Sequence, residues 1–311
     1  MPHDELELVE WLRLQQSFDA RVALGIGDDM AVLARQEGFL LVASDMILDG
    51  VHFDSARDDL AAIGRKALAC NLSDCAAMAA RPIAATVSLA LPRSMTLDQV
   101  KELYGGMFAL AQEFDVVIVG GDTNRWDHPL VIDVAITATA YADTDPVTRC
   151  RAMPGDRLYI TGKLGGSLKS GRHLAFTPRV KEAQRIAEQL GVDLHALMDI
   201  SDGLSLDLWR MCQASKVGAV LHELELQKVI HEDVKSSDAT VRCGTGLQPV
   251  DSALEHALYD GEDFELLLAV HPQSEVSMFD LWPVGEITTG GYHLRRVDGS
   301  QVELQPRGYI H

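Results

Sequence analysis

Gly25-Ile26-Gly27-Asp28-Asp29-Met30-Ala31-Val32-Leu33 is the stretch around which the rest of this chain can be ordered. It places two neighbouring carboxylates on a glycine-flanked turn between apolar residues. Two anions this close repel each other unless a cation offsets them. Magnesium suits such a turn, because it commonly binds one or two carboxylates together with substrate phosphates. An acidic surface turn explains the stretch equally well when it is taken alone.

The chain has 311 residues, 46 Asp and Glu against 27 Lys and Arg, and a formal net charge of -19. This length predicts two domains, each with a core of its own. The acidic balance argues against nucleic acid and against an anionic membrane as partners, because both require clustered Lys and Arg. A phosphate substrate would therefore need metal ions to offset the charge of the protein.

Signals for export or membrane insertion are not visible. No apolar run approaches the roughly 20 residues of a membrane span, and the N-terminus lacks a basic segment followed by an apolar one. The odd number of cysteines, with no Cys-x-x-Cys pair, predicts reduced core thiols in a cytoplasmic protein. These are Cys70, Cys75, Cys150, Cys212 and Cys243.

In the first half, strands and helices alternate, and polar residues follow the strands. Ser44 and Asp45 come after an apolar strand, and Asp122 comes after Gly120-Gly121 at the end of another. Asn71 and Asp74 share one face of a helix, either as a functional pair, as an exposed edge or as a polar pair that is hydrogen-bonded within the fold. Helices are predicted over about 4–18, 58–80 and 96–114, and strands over 39–43, 83–91, 116–119 and 130–142, before a linker at 143–146.

In the second half, predicted strands and helices are again accompanied by polar residues. The Gly-rich segment 161–167 follows a predicted strand at 157–160 and is expected to be a turn, since no phosphate-loop pattern is present. Asp199, Ser201 and Asp202 cluster where a helix begins, and either Ser201 or Asp202 is an alternative N-cap. Further elements are predicted as a helix over 178–190, a polar loop over 231–249, and strands over 264–270 and 283–287.

Together these stretches resemble the thiamine-monophosphate kinase family, from about residue 4 to residue 309. The wider superfamily includes aminoimidazole ribonucleotide synthetase, selenophosphate synthetase and a hydrogenase-maturation protein. The resemblance implies an α+β fold of two domains, with mixed sheets and flanking helices. Residues 1–145 would form a metal- and ATP-binding dimerisation domain whose sheet enters a dimeric β-barrel, and 146–311 an α/β domain. The motifs are IGDDMAVL, SDMILDGVHF, KALACNLSDCAAMAARP, GGDTNR, VTRCRAMPGDRLYITGKLGGS, DISDGLSLDL and GEDFELL.

The resemblance implies a homodimeric kinase that transfers the γ-phosphoryl group of ATP to thiamine monophosphate, with several magnesium ions. The implied metal ligands are Asp29, Ser44, Asp45, Asp74, Asp122, Asp199 and Asp202. The implied ATP contacts are Tyr104, Gly121, Asp122, Arg149 and Ser201. The implied acceptor contacts are His52, Glu262 and Tyr309, and the residues expected to matter most for catalysis are Asp45, Asp122 and Arg149.

The chain departs from the family pattern in a few places. Ser44 stands where Thr is frequent, which keeps the hydroxyl, and Asp260 replaces the first Gly of the GED segment. The surroundings of the Gly-rich segment differ at Lys163, Gly166 and Lys169. The last residues, 308–311, lack the usual closing aromatic.

The chemistry of such an acceptor is consistent with the residues present. A phosphate monoester has a second pKa of about 6, so at neutral pH it is largely dianionic and needs no general base. We therefore expect direct in-line transfer without a phosphoenzyme. One alternative is another ATP-dependent enzyme of the superfamily, although selenophosphate synthesis would need a Cys closer to the N-terminus than Cys70. The other is a protein that binds nucleotide or metal without catalysis.

Overall fold

Two sheets organise the computed structural model, which describes residues 20–34, 38–141, 145–235 and 252–309. The first unit contains the described residues up to Pro146 together with Leu174–Arg185, and the second contains Val147–His173 and Ile186–Tyr309. The helix predicted over 4–18, and parts of the predicted linker and of the 231–249 loop, lie outside the described residues.

The first unit contains a six-stranded sheet in the order β1-β2-β3-β6-β4-β5, antiparallel except for the parallel pair β4 and β5. Alternate residues of β6, such as Val134 and Ile136, are fully buried on one face, while the residues between them are half-buried. The strands are β1 (Val22–Leu24), β2 (Ala31–Ala34), β3 (Phe39–Leu48), β4 (Arg81–Pro92), β5 (Val117–Trp126) and β6 (Val131–Thr139).

The helices of this unit begin where their capping residues predict. Helix α1 (Leu60–Ala77) starts at Asp59, whose carboxylate accepts from the N–H of Ala62. Helix α2 (Leu97–Glu113) starts at Thr96, which forms a reciprocal capping box with Gln99. The two helices touch backbone to backbone, because a Cβ on Gly64 would lie 1.9 Å from the carbonyl oxygen of Leu103.

Two predicted strand ends in this unit are wrong. Strand β3 does not stop at residue 43 but continues through Ser44 and Asp45 to Leu48. Strand β5 likewise continues through Gly121 and Asp122, and it is an edge strand on which Val117 and Val119 are exposed. Ser44 and Asp122 are compatible with these strands because they are exposed, and one face of an antiparallel sheet can be solvated.

The second unit contains a seven-stranded sheet in the order β13-β12-β9-β11-β7-β10-β8. Its strands are β7 (Arg157–Ile160), β8 (Leu194–Ile200), β9 (Gly218–His222), β10 (Glu265–Val270), β11 (Trp282–Thr288), β12 (Tyr292–Arg295) and β13 (Gln301–Glu303). Strand β8 was not predicted, and it makes Asp199 a strand residue. The described helices are α3 (Ser167–Ser170), α4 (Val180–Leu190, which belongs to the first unit up to Arg185), α5 (Leu204–Ser215), α6 (Glu223–Val229), α7 (Glu232–Lys235) and α8 (Ser252–Tyr259).

The cysteines of the described residues are free thiols, as predicted, and Cys70, Cys75 and Cys212 are buried. Cys150 is exposed, so the expectation of a core thiol is wrong there, because this residue lies in a short 3-10 turn at Arg149–Arg151. Among the described residues, none of the helices has the length and hydropathy needed to cross a bilayer.

Candidate functional site

In the first unit, Asp29 and Asp74 approach each other closely. One carboxylate oxygen of each lies within 4.8 Å of the other. Asp29 follows Gly27, whose φ of +121° favours glycine, and its own N–H donates to Oδ1 of Asp28 over 3.0 Å. Asp74 lies on α1. A pair of carboxylate oxygens at this separation can bind one divalent cation.

Asp45 lies on the same side of the sheet as this pair. Burial, followed by the negative charges of Asp74 and Asp45, raises the pKa of the Cys75 thiol well above its usual value. Asp45 is therefore close enough to α1 for its charge to act there together with that of Asp74. The resemblance groups Asp29, Asp45, Asp74 and Asp122 as metal ligands. The structure brings Asp29 to Asp74, and it places Asp45 on the buried face of β3.

Ser44 and Asp122 lie on the opposite face. Successive strand residues alternate between faces, and the Ser44 hydroxyl donates to Oδ1 of Asp133 over 2.9 Å. Asp122 pairs in register with Ser88, which pairs with Asp133, so these side chains share that face. Because β6 and β4 separate β3 from β5, these two strands are about 14 Å apart. A single copy of this unit therefore does not bring Asp122 to Asp45.

The side chain of Asp122 is held by its own strand. One carboxylate oxygen accepts from the N–H of Thr123 over 2.8 Å and the other from the amide of Asn124 over 2.9 Å. Gly121, beside it, adopts a φ of +152°, and a Cβ there would lie 1.8 Å from the carbonyl oxygen of Val87. The glycine is therefore required by the strand itself. Tyr104 lies on α2, where it stacks on Phe108 with 5.7 Å between ring centroids.

His52 follows β3 in a tight loop and is 8% exposed. Its Nδ1 accepts from the N–H of Leu48 over 3.0 Å. Its carbonyl oxygen accepts from Nζ of Lys66 over 2.7 Å, and Lys66 is fully buried on α1. Sequence reasoning missed Lys66. The signal was a lysine within the apolar stripe of a predicted helix, next to Ala67.

In the second unit, four predicted residues from three distant segments meet. The N–H of Glu262 donates to the carbonyl oxygen of Ser201 over 2.6 Å. The N–H of Tyr309 donates to the carbonyl oxygen of Asp202 over 2.7 Å. Burial and the charge of Glu262 raise the pKa of Tyr309. A Cβ on Gly261 would lie 2.6 Å from the Cβ of Tyr309. Glu262 itself is buried at a positive φ of +65°, a backbone conformation that is costly for a side chain and frequent at binding sites.

Two residues that sequence reasoning missed hold the Ser201-Asp202 loop. Asp207 is fully buried, and its Oδ2 accepts from the N–H groups of Asp202 and Gly203 over 3.0 and 3.1 Å. Nη1 of Arg210 donates to Asp202 over 2.5 Å and to Asp207 over 3.0 Å. Burial and the charge of Asp202 raise the pKa of Asp207 to about 7, although Arg210 opposes this. The N-cap of α5 is Gly203, so the alternative of capping by Ser201 or Asp202 is wrong.

Arg149 and Asp199 complete the predicted residues of this unit. Arg149 begins the 3-10 turn Arg149–Arg151, and its carbonyl oxygen accepts from the hydroxyl of Ser215 over 2.9 Å. Its positive charge lowers the pKa of Asp207, which places it near the Asp202 loop. Asp199 is buried on β8, opposite Leu266 of β10.

The Gly-rich segment is a turn, as expected, and its amides are occupied by carboxylates of the protein. The N–H of Gly165 donates to Asp263 and that of Gly166 to Asp260, both over 2.8 Å. Nη2 of Arg172 also donates to Asp263, over 2.7 Å. Burial nevertheless raises the pKa of Asp263 to about 7. The acidic GED segment therefore supports the glycine turn from within the second unit.

Comparisons with known proteins identify relatives along nearly the whole chain. The family model described as AIR synthase related protein, N-terminal domain, matches residues 27–142. The thiamine-monophosphate kinase of Rhodopirellula baltica is 38% identical over 99% of this chain and 97% of its own. The thiamine-monophosphate kinase of Synechococcus elongatus is 32% identical, and the match covers 92% of this chain and 90% of that protein.

Two solved structures are similar to this chain over nearly its whole length. AaThiL complexed with AMPPCP and TMP superimposes with a TM-score of 0.81 at 25% identity, covering 99% of this chain and 96% of that one. The thiamine-monophosphate kinase of Stenotrophomonas maltophilia superimposes with a TM-score of 0.71 at 30% identity, covering 94% and 95%.

Proposed function

Because the chain belongs to the thiamine-monophosphate kinase family, we propose that it transfers the γ-phosphoryl group of ATP to thiamine monophosphate, which yields thiamine diphosphate and ADP. The observation that carries this proposal is the similarity, over nearly the whole chain, to a solved structure that holds both AMPPCP and TMP. AMPPCP is an analogue of ATP, so that relative binds a nucleotide and the phosphate acceptor together.

The transfer is direct and in line. The acceptor phosphate is already largely dianionic near pH 7, so the protein needs no general base. Its task is to align two anions and to offset their charge. Asp45 and Asp122, with Arg149 as a planar donor to phosphate, are the residues on which turnover depends most.

The proposed cofactor is a set of several magnesium ions, and ATP is the co-substrate. The donor set fits, because Asp29 and Asp74 present carboxylate oxygens within 4.8 Å of each other, and oxygen is what magnesium prefers. When bound, the ions would offset the negative charge of the phosphate groups. The proposed ligands are Asp29, Ser44, Asp45, Asp74, Asp122, Asp199 and Asp202.

The remaining contacts divide between the two substrates. The exposed Gly121 backbone and the Arg149 guanidinium support a nucleotide site, which we assign to Tyr104, Gly121, Asp122, Arg149 and Ser201. The clustering of Glu262 and Tyr309 around the Ser201-Asp202 loop supports a role in binding thiamine monophosphate, together with His52.

The chain is proposed to work as a homodimer, with residues 1–145 as the dimerisation domain and 146–311 as the α/β domain. Two features support an interface in the first unit: the exposed edge strand β5, and the open sheet face, on which Met46 is 54% exposed. In the proposed dimer, the sheets of the two copies would close into a barrel. The reduced cysteines support a cytoplasmic location.

The proposal is tested by incubating the protein with ATP and thiamine monophosphate, with and without magnesium, and measuring ADP and thiamine diphosphate. Equal amounts of both products, only with magnesium, are expected. A panel of other acceptors, including ribonucleotide amides and selenide, separates this activity from those of the wider superfamily. ATP binding without turnover on any acceptor would indicate a non-catalytic protein.

A further inference from the structure

We propose that a cavity in the first unit is a further ligand site, which binds a small organic anion with a planar ring. The cavity lies between the start of β4, the end of β6, the end of α2 and the first turns of α4, and all of its lining residues belong to the first unit. Its volume is about 490 Å³, within the range of small-molecule sites. None of its lining residues is a proposed metal, nucleotide or acceptor contact, so the inference is independent of the proposed function.

The lining of this cavity is positively charged, although the chain as a whole is strongly acidic. Arg81 and Lys181 line it, and none of its lining residues, all of which lie in the described part of the chain, is an aspartate or a glutamate. The formal net charge of the chain is -19. A concave site with two cations in such a chain attracts an anion that the rest of the surface repels.

Arg81, the first residue of β4, has donors to offer to a ligand. Its side chain is 64% exposed, and the carboxylate of Asp115 with which it pairs lies 3.9 Å away, beyond hydrogen-bond distance. An exposed ion pair of this kind is weak. The planar guanidinium matches the geometry of a phosphate or carboxylate group, so a bound anion can replace Asp115 as its partner.

Lys181, in the first turn of α4, is held at the cavity by the end of α2. Its Nζ donates to the carbonyl oxygen of Glu113 over 3.4 Å and lies 5.4 Å from the centroid of the Phe114 ring. An ammonium group has three donors, and this bond uses one of them. The contact also places a positive charge at the negative end of the α2 dipole, which would otherwise repel an anion.

The rest of the wall favours an organic anion over an inorganic one. Phe114 and Tyr141 contribute aromatic residues to the lining, and Pro82 and Val180 contribute buried apolar ones. A ring that covers this apolar surface gains free energy that a bare phosphate ion does not gain. The arrangement therefore suits a molecule whose charged group lies at Arg81 and Lys181 and whose planar part lies against the apolar wall.

The site is tested on the full chain with pyridoxal 5′-phosphate, which joins a phosphate to a planar ring. Its aldehyde condenses with a lysine amine to an imine, with loss of water, and borohydride reduces the imine to a stable secondary amine. Peptide mass spectrometry then gives the labelled fraction of each lysine. We expect saturable labelling of Lys181 at concentrations at least about tenfold lower than those that label Lys101, an exposed lysine of α2. Equal labelling of the two lysines would overturn the inference.

Two arginine variants test the recognition of the charged group. Arg81→Gln should raise the concentration for half-maximal labelling of Lys181 about tenfold, as expected for the loss of a charge-assisted hydrogen bond. Arg93→Gln, at the other end of β4, is the matched control, because the side chain of Arg93 is 67% exposed, and it should change nothing. Equal effects of the two variants, or no effect of Arg81→Gln, would contradict the site. Thermal unfolding checks that both variants fold.

Competition on the unmodified protein tests the class of ligand without any variant. Phenyl phosphate should protect Lys181 from labelling at concentrations at least about fivefold lower than inorganic phosphate, because it alone has a ring to bury. Equal protection by the two, or protection by neither, would overturn the assignment to an organic anion. None of these measurements requires turnover, so their failure is distinct from a failure of the proposed function.

Discussion

The N–H of Glu262 donates to the carbonyl oxygen of Ser201 over 2.6 Å, and it does so next to Gly261, where a Cβ would lie 2.8 Å from the same oxygen. A proposed acceptor contact and a proposed nucleotide contact are therefore joined through their backbones. Their spacing depends on the absence of a side chain at Gly261.

Gly261→Ala should consequently displace Glu262 and Tyr309 from the Ser201-Asp202 loop. We expect kcat/KM for thiamine monophosphate to fall about tenfold or more, because small displacements at a binding site are costly. The matched control is Gly105→Ala on α2, where nothing lies within 4 Å of the added Cβ and alanine favours the helix. Equal kinetics for the two variants would show that this spacing is unimportant.

Asp45→Asn and Asp122→Asn should each abolish turnover and leave folding largely intact. Each removes a negative charge from a proposed magnesium ligand, and we expect kcat to fall about 100-fold or more. Steady-state rates at saturating magnesium, with thermal unfolding as the folding control, measure this. Asp98→Asn, on an exposed residue that pairs only with Lys101 among the contacts described, should behave like the unmodified protein. An unchanged kcat would remove the substituted residue from the site.

Arg149→Ala should chiefly raise the KM for ATP, because it removes a planar donor to phosphate. We expect an increase of about tenfold or more, from the loss of a charge-assisted hydrogen bond. Arg151→Ala, in the same 3-10 turn but exposed, is the control and should change little. An effect confined to the KM for thiamine monophosphate would contradict the assignment.

Arg210→Met should destabilise the second unit, because it leaves the buried Asp207 and the partly buried Asp202 without their shared cation. Removing one partner of a buried ion pair costs about 3–5 kcal/mol. Lys228→Met breaks an exposed pair with Glu225 and should cost less than about 1 kcal/mol. Urea unfolding of both variants tests the difference. Similar losses would mean that the Arg210 contacts do not stabilise the loop.

The stability of the protein should depend on pH through Asp263. Burial raises the pKa of Asp263 from 3.8 to about 7 in the folded state, against the opposing effects of the Gly165 N–H and Arg172. Between about pH 4 and pH 7 the folded state then binds a proton that the unfolded state has released, so stability falls as the pH rises, by up to about 1.4 kcal/mol per pH unit.

Asp263→Asn should lack this contribution. Urea unfolding at pH 5, 6, 7 and 8 should therefore show a steeper fall with pH in the unmodified protein than in the variant, and parallel curves above about pH 7. Asp298→Asn, on an exposed residue, serves as the control. Parallel curves throughout, or a fall that is steeper in Asp263→Asn, would contradict the raised pKa.

Local signals in the sequence were sufficient for the parts of the fold that local interactions determine. Asp59 and Thr96 cap helices where their side chains predict. The proximity of Asp29 and Asp74 is not a local feature, and it was expected only from the resemblance to a family. The ends of β3 and β5 were predicted wrongly because the polar residues Ser44, Asp45 and Asp122 were taken to follow the strands, whereas all three pair in register within the sheet.

Contacts between distant segments of the chain could not be predicted from the sequence, because they too depend on tertiary structure. The separation of Asp122 from Asp45 follows from the strand order, in which β6 and β4 lie between β3 and β5. Lys66 and Asp207 act through backbone groups of residues that the sequence alone does not place beside them. Each was visible only as a charged residue on the apolar face of a helix.

The most direct test of the central claim is the formation of thiamine diphosphate from thiamine monophosphate and γ-32P-labelled ATP in the presence of magnesium. The account predicts that the label appears in the terminal phosphate of thiamine diphosphate, in an amount equal to the ADP formed, and that no labelled protein accumulates. Labelled protein that passes its phosphate to the acceptor, or ADP release without thiamine diphosphate, would contradict it.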